Sequence, residues 1–137
     1  MAVTDQQLAA LRARLCGDLA EHERLLGLID WITGGTAYAL LIDAAFTQAV
    51  NTKFGPGSSD DDVAAYVASA PAPRAAADLI RNVLGRGSIE ELDPKTAFAA
   101  RQFVLSAIIA DEQLPAAELD SFLDNARKLA DTWLARM

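Results

Sequence analysis

The sequence predicts an all-α protein: a single all-α domain over residues 1–137, an orthogonal or irregular bundle of about six helices with two central hydrophobic ones. Three observations predict it. Apolar residues recur at three- and four-residue steps, the spacing that stacks side chains on one helix face. Helix-starting residues such as Thr4, Ser59 and Asp93, and helix-stopping glycines such as Gly85, punctuate those periodic segments. No stretch alternates apolar and polar residues as a half-buried strand would, and no repeat of fixed period occurs.

Thr4-Asp5-Gln6-Gln7 has the spacing of a capping box, in which the Thr4 hydroxyl takes the Gln7 amide and the Gln7 side chain reaches back. Leu8, Leu11, Leu15, Leu19, His22, Leu26 and Ile29 then follow at helical steps and predict one helix towards Thr33. Gly17 and Gly27 are its weak points, each costing about 1 kcal/mol relative to alanine. Gly34-Gly35 is expected to stop it and reverse the chain. The next helix is expected from Thr36 to about Lys53, where TAYALLIDAAFTQAVNTK is apolar over most of its circumference and so suits a central position. Its polar residues Thr36, Asp43, Thr47 and Asn51 fall in one narrow strip.

Gly55-Pro56-Gly57 breaks that helix, and Ser59 stands three residues before Asp62, the spacing of a serine cap with an acid at the third helical position. Asp60, Asp61 and Asp62 then occupy a first turn whose free amides favour negative charge. The run lacks the alternate oxygen ligands, central glycine and late glutamate of a calcium loop. Val63, Tyr66, Val67 and Ala70 give this short helix one apolar side, and Pro71-Ala72-Pro73 ends it. Another begins near Arg74, buries Leu79, Ile80, Val83 and Leu84, and stops at Gly85. Ser88 and Glu91 have capping-box spacing for one further turn. Asp93-Pro94 is a strong helix start, opening PKTAFAARQFVLSAIIADE, which reads as apolar almost all round and as the second central element. From Pro115 onward, Leu119, Phe122, Leu123, Ala126, Leu129, Ala130, Trp133 and Leu134 form one stripe opposite Asp120, Asp124, Arg127, Lys128 and Asp131.

Charge narrows the partners. A net charge of −7 with few, dispersed basic residues argues against nucleic acid, whose binding draws on clustered lysine and arginine. The three acids opening the Ser59 helix argue the same against a DNA-reading helix-turn-helix. Asp30, Asp43, Arg101 and Asp111 interrupt the most apolar segments, so no membrane span is expected. No secretory signal is visible, and the single Cys16 fits a reducing compartment, so the expected location is cytoplasmic.

Chemistry-bearing residues are sparse. His22, the one histidine, lies on the apolar stripe of the first helix, with Glu21 and Glu23 pointing away from it. That fits a core or interface histidine better than a base or metal ligand. Cys16 sits six residues from His22, a helical spacing that turns the two side chains apart, and lies among small residues suited to close helix approach. GRGS around Arg86 lacks the lysine, and the Ser or Thr following that lysine, of a phosphate loop. Arg101 shares register with Phe98, Val104, Leu105 and Ile108, so its guanidinium either snorkels out to water or finds a buried acceptor, with Asp43 or Asp111 as the expected partner. The functional version of that pairing is a pocket where Arg101 grips a small anionic ligand and Thr36, Asp43 and Thr47 line one wall.

No catalytic set, metal site or cofactor is therefore assigned, and the enzymatic reading is disfavoured. The first expectation is a non-catalytic interaction or regulatory protein that self-associates as a homodimer, with His22, Trp31 and Cys16 as interface residues. The alternatives are a small-molecule-binding helical protein with its pocket near Arg101 and Asp43, and an acidic immunity-type protein that neutralises a basic toxin.

Overall fold

The computed structural model describes residues 2–137 and is all-helical. Seven α-helices and no strand are found among the described residues: α1 (Asp5–Leu15), α2 (Leu19–Leu26), α3 (Trp31–Lys53), α4 (Asp60–Ser69), α5 (Ala76–Val83), α6 (Pro94–Glu112) and α7 (Ala116–Ala135). The chain divides into two compact units, one of Met1–Ala45 with Glu112–Met137 and one of Phe46–Asp111. In the first unit α1 packs against α2 and α7; in the second α4 packs against α5.

Both capping boxes form as the sequence predicts. Thr4 Oγ1 accepts from the Gln7 amide at 3.1 Å while the Thr4 amide donates to Gln7 Oε1 at 3.0 Å. Ser59 Oγ accepts from the Asp62 amide at 3.1 Å and the Ser59 amide donates to Asp62 Oδ2 at 2.9 Å. The three acids after Ser59 are thus accounted for by a helix start. Asp93 caps α6 through the Thr96 amide at 3.0 Å. Ser88 departs from its expected box: its hydroxyl accepts from the Glu90 amide at 3.3 Å, a local turn without a helix.

The expected first helix is two helices. Gly17, at φ +81°, closes α1 in a Schellman arrangement, with the Asp18 amide on the Ala13 carbonyl at 2.9 Å and the Gly17 amide on the Arg14 carbonyl at 3.1 Å. Asp18 then caps α2 through the Glu21 amide at 3.2 Å. This break resets the helical phase, so Leu25 becomes buried while Leu19, expected on the inner stripe, faces water at 59% exposure.

Gly34-Gly35 does not reverse the chain. Both glycines lie inside α3, which starts five residues earlier than Thr36, at Trp31. Asp30 sets that start: its carboxylate accepts from the Ile32 amide at 3.0 Å and its carbonyl from the Gly34 amide at 2.7 Å. Gly34 serves a close approach instead. Gln7 Nε2 donates to the Gly34 carbonyl at 2.8 Å, and a Cβ on Gly34 would lie 2.8 Å from that nitrogen.

α3 is the most deeply buried element, with Ala37, Tyr38, Leu41, Ile42, Ala44, Ala45, Phe46, Ala49 and Val50 all buried. α6 is less so than its composition predicts. Ala97, Ala100, Val104, Leu105, Ile108 and Ile109 form one buried stripe, whereas Ala99, Phe103 and Ala110 are exposed. Alanine raises the apolar count of α6 at little cost when left in water, so its composition overstates its burial. α7 buries Leu119, Leu123, Ala126, Ala130 and Leu134 of the stripe its pattern predicts, and leaves Phe122, Leu129 and Trp133 half-buried along it.

Candidate interaction surface

The segment joining α2 to α3 presents large apolar side chains to water. Leu28 is 52% exposed, Trp31 51% and Ile32 96%, while Ile29 between them is buried. The local sequence explains the arrangement. α2 ends at Gly27, whose amide bonds to the Glu23 carbonyl at 3.1 Å, and two tight turns carry Leu28 and Ile29 to Asp30. The Asp30 cap then fixes Trp31 and Ile32 in the first turn of α3. Trp31 also rests edge-to-face on Tyr38, two turns further along α3, with ring centroids 5.6 Å apart and planes at 85°. Its orientation is therefore fixed while half of its surface stays open. Beside this ridge lies a shallow depression of about 180 Å³ lined by Thr4, Gln6, Gln7, Leu28, Ile29, Asp30, Thr33 and Gly34.

Of the residues named from sequence as interface, Trp31 belongs to this ridge. His22 does not reach any surface: it is 4% exposed, and its Nδ1 donates to the Ala10 carbonyl at 2.7 Å, so it serves the packing of α2 on α1. Cys16 is exposed at the C-cap of α1, where Arg12 Nη1 donates to its sulfur at 3.6 Å. Leu28 and Ile32 were not legible as surface residues. The sequence signal for them is Asp30, an N-cap residue directly before Trp31, which competes with Gly34-Gly35 as a helix stop.

The residues expected to line an anion pocket divide between the two units. Thr36 and Asp43 belong to the first, Thr47 and Arg101 to the second. Thr36 and Asp43, seven residues apart in the first unit, share one side of α3 as their spacing requires. Asp43, Thr47 and Arg101 are half-buried and Thr36 is exposed, and neither Asp43 nor Arg101 stands without an interaction. Among the described residues no group of three or more His, Cys, Asp and Glu side chains could hold a metal ion, and no helix is long and apolar enough to cross a membrane.

Comparison with protein-family models, with curated proteins and with solved structures gives no match for this chain.

Proposed function

We propose that the protein is a non-catalytic interaction protein that self-associates through the ridge of Leu28, Trp31 and Ile32. The observation that carries this reading is the exposure of three large apolar side chains within five residues on a capped helix start. Full transfer of an exposed aliphatic side chain such as Ile32 out of water is worth about 1.5–3 kcal/mol, the half-exposed Leu28 and Trp31 offer about half of their surface, and a two-fold contact would count each of them twice. The ridge is also preorganised, since Asp30 fixes the backbone and Tyr38 fixes the Trp31 ring, so little ordering entropy is lost on contact. The two residues with most catalytic potential are engaged elsewhere, His22 with a backbone carbonyl and Cys16 beside Arg12.

The test is light scattering and sedimentation of the wild type and Ile32→Asp over a wide concentration range. An acid in the first turn of α3 suits the helix dipole, so the variant keeps its helical circular dichroism. The wild type is expected to dimerise and Ile32→Asp to be monomeric at the same concentration. A wild type that stays monomeric at high concentration removes the reading.

A further inference from the structure

The α1–α7 groove, on the same unit, is lined by other residues than the ridge. Leu8, Ala9 and Leu123 form its apolar lining and Asp5, Arg12, Asp120 and Asp124 its charged one, around a cavity of about 430 Å³. Asp5 to Arg12 spans two turns of α1, so the groove runs roughly 10 Å along that helix. That length fits two turns of a docked helix or three residues of extended chain.

Its charge is lopsided, because Arg12 and the neighbouring Arg127 answer only two of its three carboxylates. Arg12 Nε meets Asp120 at 2.7 Å and Arg127 Nη1 meets Asp5 at 2.7 Å. No side chain among the described residues pairs with Asp124, although it stands one turn from Asp120 on α7, where like charges repel. The Arg12–Asp120 pair is open to water on both sides, and such pairs exchange partners readily.

We infer that this groove docks a basic segment of another protein, one that lays an aliphatic side chain on Leu8, Ala9 and Leu123 and sets an arginine one turn away against Asp120 and Asp124. A guanidinium matches this rim because its planar fork donates to two carboxylate oxygens at once. Phosphate-bearing partners are repelled by the same carboxylates, and a net charge of −7 steers a cationic partner towards the protein. The occupant therefore differs in kind from a second copy of this acidic chain.

The probe is a fluorescein-labelled amphipathic helical peptide of leucine and arginine, titrated by anisotropy against the full chain, with a leucine and glutamate peptide as its counterpart. The arginine peptide is expected to bind saturably and the glutamate peptide not at all. Asp124→Arg should weaken binding at least about tenfold. Ala9→Trp, which fills the groove from an exposed position without altering charge, should weaken it comparably. Glu112→Arg makes the same charge change at the exposed end of α6 and should cost less than about threefold. Equal losses for Asp124→Arg and Glu112→Arg, or unchanged binding by Ala9→Trp with intact circular dichroism, would overturn the proposal, as would failure of the arginine peptide to bind. Ile32→Asp is expected to bind the peptide as the wild type does, so the fate of the groove and that of the ridge are read separately.

Discussion

α1 in one unit and α4 in the other begin with the same chemistry and use it differently. Each opens with a hydroxyl residue that caps the third helical amide and is capped in return. In α4 the reciprocating residue, Asp62, is exposed and its carboxylate closes its own helix start. In α1 it is Gln7, 2% exposed, whose amide has a second end: Oε1 closes the cap and Nε2 reaches 27 residues along the chain to the Gly34 carbonyl. A carboxylate has no donor for such a contact, whereas a carboxamide does. One side-chain atom thus turns a local signal into a tertiary tie.

The largest consequence is the cost of losing Gln7. Gln7→Ala removes half of a capping box, a part-buried hydrogen bond and a packed side chain together, an expected loss of about 3 kcal/mol. Urea unfolding followed by circular dichroism measures it. A loss no greater than that of an ordinary exposed cap would mean that the Gly34 tie contributes nothing.

The two tyrosines sharpen the contrast between the units. Tyr38, 1% exposed in the first unit, is pushed up from 10.0 to about 12 by burial, with Arg14 drawing it partly back. Tyr66 in the second is half-buried, edge-to-face on Phe54 and under the Lys53 ammonium at 5.1 Å, and is raised by burial and then by Asp111. The unfolded chain releases the Tyr38 proton near pH 10 and the folded chain near 12, so stability is full below pH 10 and declines between 10 and 12. Linkage sets that decline at roughly 2–3 kcal/mol. Tyr38→Phe should abolish the Tyr38 part of the decline at little cost at neutral pH, because the Tyr38 hydroxyl is buried without a hydrogen-bond partner. Alkaline urea titrations of the two proteins would show it.

The same contrast marks where the sequence was legible. Helix starts at Thr4, Ser59 and Asp93 rest on contacts three residues apart, and the α7 stripe on 3.6-residue periodicity, so both could be read directly. Gly34 could not, because glycine signals both a chain reversal and a close approach, and the neighbour requiring the approach is Gln7, distant in sequence. The same ambiguity bears on the start of α3, which lies at Trp31 and not at Thr36, and on the exposure of Leu28 and Ile32. Gly17 is legible as a weak point, yet its phase reset, which sends Leu19 outward, depends on the conformation of three residues that periodicity does not encode.

A smaller effect follows for the cap without a tertiary role. Ser59→Ala should cost about 1 kcal/mol, the ordinary value for an exposed N-cap, since the Asp62 carboxylate keeps its bond from the residue 59 amide. A loss as large as that of Gln7→Ala would erase the distinction between the two starts.

The smallest effect, and the sharpest in sign, separates the adjacent glycines of α3. At Gly35 an added Cβ meets only Trp31 Cε3 at 3.6 Å, ordinary contact, so Gly35→Ala should gain most of the helix propensity difference, about 0.5–1 kcal/mol. At Gly34 the same methyl displaces Gln7 Nε2 from a part-buried hydrogen bond, which offsets that gain and leaves a net loss of up to about 1 kcal/mol. In a Gln7→Ala background the obstructing nitrogen is gone, so Gly34→Ala should turn stabilising, like Gly35→Ala. A double-mutant cycle over Gln7 and Gly34 reads this directly, because non-additivity of that sign arises only if the two residues meet as described. Additive losses would assign Gly34 a backbone role of its own and detach the start of α1 from α3.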